Sequence, residues 1–160
     1  MKQLVRNTLR LLRQGLLLAA LPTAWAQHAT AATDYVQLTN LPTLYVDTED
    51  GASVKSKETY VKCTVRYVDS EGITLYDAAN IRGRGNSTWN LAKKPYRLKF
   101  DKKQRFLGAD RAKAKSWTLL ANYADKSLIR NAIASYIGTF AGQPFTPAAQ
   151  FADLVLNGEY

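Results

Sequence analysis

The sequence predicts an α+β fold, an antiparallel β-sheet N-terminal portion carrying one amphipathic helix, within a larger domain. Three observations predict it. Apolar and polar residues alternate with period two through most of residues 35–68 and again over 79–82 and 96–100. A single later stretch repeats its apolar residues at three- and four-residue steps. Short clusters of Asp, Asn, Gly and Pro punctuate the runs. At 46% apolar and 22% charged residues, the 160-residue chain has an ordinary globular composition, which excludes collagen-like, disulfide-scaffold and wholly disordered classes.

The first 26 residues read differently. Lys2, Arg6, Arg10 and Arg13 precede the apolar run Gly15 to Leu21, followed by Pro22 and the small-residue site Ala24-Trp25-Ala26. Together these predict a secretory signal peptide, residues 1–26, cut after Ala26. Its apolar core is about half of the roughly 18 residues that a span needs, and no later stretch comes closer. The mature chain, 27–160, is therefore expected to be exported (secreted, periplasmic or at the cell surface) with no transmembrane span. No Cys stands at the cleavage site to carry a lipid anchor.

One cysteine and one histidine limit the chemistry. Cys63 has no partner for a disulfide within the chain, and its alternation with Val61 and Val65 predicts an inert core thiol rather than a nucleophile. His28 lies beside the cleavage site. Zinc sites built on several His or Cys, Ser-His-Asp triads and Cys-His pairs are thereby excluded within this chain, and no metal-ligating residues are assigned.

In chain order, Leu44 and Val46 mark one strand and Val61, Cys63, Val65 and Tyr67 another, with turns at Asp47–Gly51 and Asp69–Gly72. Ala79 and Ile81 alternate with Asn80 and Arg82 into a glycine-rich turn; Tyr96, Leu98 and Phe100 then alternate with Arg97 and Lys99, Pro95 suiting the start of that strand. Trp117 to Ala121 is a short apolar run. Asp125 is a good N-cap for a helix over 126–141, carrying Leu128, Ile129, Ala132, Ile133, Tyr136, Ile137 and Phe140 on one stripe and stopped by Gly142 and Pro144. Phe151 to Leu156 is an apolar strand ending in Asn157-Gly158, which fits a two-residue type I′ hairpin turn. With only Glu159 and Tyr160 after it, that strand is expected to lack a return partner, so 27–160 is read as the N-terminal part of a larger domain.

Charge is concentrated. Residues 82–115 hold twelve Lys or Arg against Asp101 and Asp110, a net of +10 in a chain whose total is +9. Such asymmetry fits a surface that meets an anion, such as a nucleotide, a nucleic acid, an acidic glycan or a lipid head group; a solvated, lysine-rich edge is the plainer alternative, above all for Lys102, Lys103, Lys113 and Lys115. Within the block, Arg82-Gly83-Arg84-Gly85-Asn86-Ser87 sets two glycines where a strand ends, so backbone N–H groups can turn toward a phosphate. Arg82 and Arg84 share parity as two guanidinium clamps, and Lys99, with Arg97 beside it, lies on the strand that pairs back. A glycine bulge with arginines paired to carboxylates is the structural alternative. Trp89, Tyr96, Phe100 and Trp117 interleave with these cations as base-stacking residues would, but parity assigns Tyr96 and Phe100 to the core, and nucleic acid is not the expected partner. Asn86-Ser87-Thr88 also fits the short glycosylation sequon.

The blocks Ile81–Trp89, Lys93–Phe100, Trp117–Asn122 with Asp125-Lys126-Ser127 and Arg130-Asn131, and Leu154–Tyr160, in that order, resemble the CotH family of spore-coat-type atypical protein kinases. The likeness runs from about Leu41 to the last residue. It implies an atypical kinase-like domain, ATP, Mg²⁺ (or Mn²⁺), and transfer of the γ-phosphoryl group to Ser or Thr hydroxyls of a protein on the cell surface or outside the cell. It also implies that the acidic catalytic residues lie beyond the Leu154–Tyr160 block, so the catalytic residues are unknown and these 160 residues alone are expected to be inactive. By chemistry and parity, Arg82, Arg84, the turn from Gly83 to Ser87 and Lys99 are expected near the triphosphate. Asp125, Lys126 and Arg130 are the second choice: Asp125 is read first as the N-cap, and Lys126 and Arg130, one helical turn apart, reach an anion over the helix start or face water. The competing class is a non-catalytic secreted module that holds an acidic glycan or cell-wall polymer on the same basic face.

Overall fold

A computed structural model describes residues 34–106 and 113–160. The segment 1–26, read as a signal peptide, lies outside the described residues, as do Asp110 and Arg111 of the basic block. Six strands form one sheet: β1 (Thr43–Thr48), β2 (Val61–Asp69), β3 (Gly72–Gly83), β4 (Tyr96–Gln104), β5 (Ala114–Leu119) and β6 (Asp153–Leu156), in the spatial order β5-β4-β3-β2-β1-β6. One helix, α1 (Arg130–Phe140), lies in the connection from β5 to β6. This is the α+β architecture expected, with one correction: β6 runs parallel to β1, so the sheet is mixed.

Alternation puts the main core on one face, and Tyr45, Val68 and Val155 form a smaller buried cluster on the other parity. Leu44, Val46, Val65, Ile81, Leu98 and Phe100 are all nearly or fully buried, with Cys63 and Ala79 among them. Phe106, beyond the end of β4, is fully buried against Phe100, Tyr76 and Trp117. The opposite face is polar over most of β2 to β5, where Lys62, Thr64, Asn80, Arg82, Arg97 and Lys99 follow the other parity. The first half of β3 carries no clean alternation in the sequence because a bulge interrupts it: Cys63 faces Ala79 but Val65 faces Tyr76. The one extra residue, Asp77 and Ala78 standing opposite Thr64 alone, shifts the parity of 72–76 relative to 79–83.

The last strand is not left without a partner. Thr43 to Val46 pair residue by residue with Asp153 to Leu156, and the Asn157 N–H donates to the Val46 carbonyl (2.9 Å). The Asn157 side-chain carbonyl accepts from the Thr48 N–H (2.8 Å) and the Thr48 hydroxyl (3.0 Å), tying the end of β6 to the end of β1. Asn157 and Gly158 both have positive φ, 52° and 83°, and Leu156 and Glu159 exchange two backbone bonds across them. That is the two-residue turn read from the sequence.

The helix starts later than the expected 126–141. Leu128 sits at φ 60°, which no helix accommodates, so 125–129 form turns and α1 begins at Arg130. Asp125 still organises this start. One carboxylate oxygen accepts from the Ser127 N–H (3.0 Å) and hydroxyl (2.6 Å), the other from the Arg130 N–H (2.9 Å). Those hydrogen bonds hold its carboxyl below the usual range. At the far end Gly142, φ 67°, closes the helix as expected. No helix residue is buried: the apolar stripe is exposed, with Tyr136 at 72% and Phe140 at 84%. No described helix is long and apolar enough to cross a membrane.

Two outcomes follow from this packing. Asn157→Ala removes the amide from two Thr48 donors and should cost about 1–2 kcal/mol in urea unfolding; Asn157→Gly, which keeps the turn backbone free, should still lose most of that. Burial, with the Asp47 carboxylate adding to it, pushes the Cys63 thiol up from 9.0 to about 12. The unfolded chain therefore releases this proton first, and the thiol's contribution to stability, intact below pH 9, should be lost as pH rises toward 12. Native protein at pH 8 should resist iodoacetamide and react once unfolded; prompt native alkylation contradicts the assignment.

Candidate anion-binding site

The polar face becomes a site at the open ends of β3, β4 and β5. Arg82 is the direct cross-strand partner of Arg97, and Arg97 of Thr118, so one row across three strands reads Arg-Arg-Thr. Like charges directly opposite destabilise an antiparallel pair. Arg84 and Asn86 from the following turn, and Lys57 and Glu58 from the segment ahead of β2, complete an open groove of about 520 Å³ around this row. Among its lining residues Glu58 is the only carboxylate, and no described salt bridge includes it.

The glycines act differently from the expectation. Gly83 is buried and its N–H donates to the Ser56 carbonyl (2.8 Å); the Arg84 N–H donates to the Pro95 carbonyl (3.2 Å). Neither N–H is therefore available to a phosphate. Gly83 is instead required by close packing, since a Cβ there would stand 2.4–2.8 Å from the Trp89 ring. Gly85 has φ 90°, and a Cβ would meet the Thr88 hydroxyl at 2.2 Å. Past this point, the N–H groups of Gly85, Asn86 and Ser87 have no partner among the described residues. Asn86 and Ser87 are exposed at the start of a single 3₁₀ turn, Ser87–Asn90.

Lys99 lies one row further along the same face, opposite Asn80, with its ammonium 5.7 Å from the Tyr60 ring centre. Arg82 lies over the same ring at 5.1 Å. Lys94, by contrast, turns away from any ligand: it donates to the carbonyls of Trp89 (2.9 Å) and Leu91 (3.3 Å) and covers the Trp89 ring. The second-choice pair stands elsewhere. Neither Lys126 nor Arg130 lines the groove, and the Arg130 guanidinium is 3.4 Å from the Asp125 carboxylate. A larger hollow of about 610 Å³ lies further along the polar face, but its two cations stand among carboxylates: Arg66 bonds Asp47 at 2.6 Å, Lys62 is 4.0 Å from Glu49, and Asp77 and Asp101 line the same hollow.

Three guanidinium groups, backbone donors and a threonine hydroxyl suit the oxygens of a polyphosphate. They do not suit a bare metal ion, and among the described residues no three His, Cys, Asp or Glu side chains gather as ligands. Of the residues that line the groove, sequence reasoning named Arg82, Arg84, Gly85, Asn86 and Arg97 and missed Lys57, Glu58 and Thr118; Lys99, expected at the same place, stands one row away and does not line it. Thr118 was legible from the alternation of Ser116 and Thr118 with Trp117 and Leu119; residues 57–60 carry no periodic signal at all.

Gly83→Ala should cost about 1–3 kcal/mol, the range for overpacking a filled site, measured by chemical denaturation. Trp89→Ala should absorb that cost, leaving the double variant no less stable than Trp89→Ala alone.

Comparison with known proteins adds one finding. No curated protein and no solved structure matches the chain. A family model described as CotH kinase protein matches residues 81–160, half of the chain, beginning in the last residues of β3 and including the glycine turn, β4, β5, α1 and β6. The matched stretch is shorter than the likeness from Leu41, and leaves Lys57, Glu58 and Tyr60 outside it. With the arginine row and its turn inside the matched half, the chain belongs to the CotH kinase family.

Proposed function

We propose that this chain supplies the nucleotide-binding side of an exported protein kinase that passes the ATP γ-phosphoryl group to Ser or Thr hydroxyls of a protein at the cell surface or outside the cell. The observation that carries this reading is the Arg82–Arg97 pair, two like charges set directly opposite in a family of kinases. A polyphosphate between them turns a repulsive contact into two attractive ones. Bound ATP with Mg²⁺ or Mn²⁺ brings the transferable phosphoryl group and part of its charge neutralisation. Arg82, Arg84 and Arg97 bind phosphate oxygens, each guanidinium offering paired donors in one plane. Lys99 adds a point charge, and Gly85, Asn86 and Ser87 add backbone donors. Lys126 and Arg130 take no part in this arrangement. Export rests on the pattern of residues 1–26.

A second reading, a non-catalytic module that holds an acidic glycan on the same groove, draws on the single carboxylate there. One set of measurements separates the two. Full-length protein with radiolabelled ATP and Mg²⁺ should label a protein acceptor, and Arg84→Ala or Lys99→Ala should lower labelling at least tenfold with the melting temperature unchanged. Full activity in both variants removes these assignments. Saturable binding of acidic polysaccharide without ATP binding selects the module instead.

A further inference from the structure

Tyr60 is the residue of the polar face that neither the sequence motifs nor the family match accounts for. It sits just ahead of β2, half-buried, with Arg82 at 5.1 Å and Lys99 at 5.7 Å from its ring centre. Two cations drawn to one ring need a reason, because each repels the other and each gains only modestly from an aromatic face. The surroundings provide it. The Ser56 carbonyl accepts from the Gly83 N–H (2.8 Å), and the Ser56 hydroxyl accepts from the N–H groups of Glu58 (3.0 Å) and Thr59 (2.9 Å). This fixes the 56–60 segment against the end of β3. The Arg82 Nη1 then donates to the Lys57 carbonyl and, at 3.2 Å, to the Gly83 carbonyl. With Nη1 committed to backbone, the Nε and Nη2 donors of Arg82 are left for a ligand.

We propose that Tyr60 is a positioning residue of the groove: its ring gathers Arg82 and Lys99, brought onto one face by two different strands, into a single anion-binding pair. The proposal rests on the phosphate-binding reading of the groove and adds a contributor to it. A flexible lysine and an arginine in water lose rotamer freedom when they grip an anion; a ring that already holds both lowers that loss before the anion arrives. Tyr60 is needed for its face and not for its hydroxyl.

The test is titration of the full-length protein with inorganic tripolyphosphate at low salt, in calorimetry. Tyr60→Leu should weaken binding about five- to tenfold, the size of two exposed cation–ring contacts, whereas Tyr60→Phe should stay within about twofold of the parent. Arg84→Ala, which leaves Tyr60 untouched, should also weaken binding. Wild-type affinity in Tyr60→Leu alongside weakened Arg84→Ala overturns the role of Tyr60 and leaves the groove standing. Wild-type affinity in Arg82→Ala, Arg84→Ala and Arg97→Ala alike removes the groove and the proposal with it. A measurement on the parent protein does not depend on how the variants fold: the Arg82 Hδ and Lys99 Hε protons should show upfield ring-current shifts in NMR spectra. Ordinary positions for both sets overturn the placement.

Discussion

The register between β3 and β4 is the constraint on which the site depends. On the apolar face it sets Ile81 beside Leu98 and Ala79 beside Phe100, all buried. A slip of one residue would carry these side chains into water and the charged ones into the core, at a cost of several buried hydrophobic groups. That penalty holds Arg82 opposite Arg97 on the other face, where the pair by itself is unfavourable. The β4–β5 pairing extends the same logic, since Trp117 beside Leu98 requires Thr118 beside Arg97. Core packing thus imposes an arrangement of cations that electrostatics alone would disperse.

The turn that follows β3 is a second fixed element. Trp89 folds back under Gly83 and packs edge-on against Tyr96 at 6.2 Å, and Lys94 closes over its other side. The first two N–H groups of the turn are used within the protein. The backbone donors left without a partner among the described residues therefore begin only at Gly85, past both the close-packed Gly83 and Arg84. The loop presents Arg84 from a rigid base, and rigidity in a guanidinium clamp spares conformational entropy on binding.

Much of this was legible in the sequence where one physical rule acted alone. Period-two alternation located β1, β2, the end of β3 and β4, and parity assigned Phe100 to the core and Arg97 and Lys99 to the opposite face. Asn157-Gly158 announced its turn because few residues tolerate two consecutive positive φ values. Failures came where rules competed. The bulge opposite Thr64 masked the first half of β3, and Asp125 capped through a wider loop than the N-cap pattern presumes, displacing the helix start to Arg130. The parallel pairing of β6 was invisible because pairing between residues 110 apart leaves no local mark. The 56–60 segment was missed for a related reason: its contribution is made through carbonyls and one ring, which no spacing rule detects.

The excess of positive charge in residues 82–115 separates, in three dimensions, into parts with different physical meaning. Lys94 is committed to backbone carbonyls, and Lys102 and Lys103 on β4 and Lys113 and Lys115 beside and on the edge strand β5 stand exposed, where water and salt screen them. Charges of that kind favour solubility and blunt a sheet edge against unwanted pairing. Arg82, Arg84 and Arg97 are each partly buried and share one groove, so their fields add in a medium that screens them less. The neighbouring hollow supplies the contrast within the same sheet. There Asp47 and Glu49 accompany Arg66 and Lys62, and Asp77 and Asp101 line the same hollow, so carboxylates outnumber the cations. An anion approaching this face meets an attractive potential at the strand ends and a repulsive one beside it, a difference that arises from where the carboxylates stand and not from the number of basic residues.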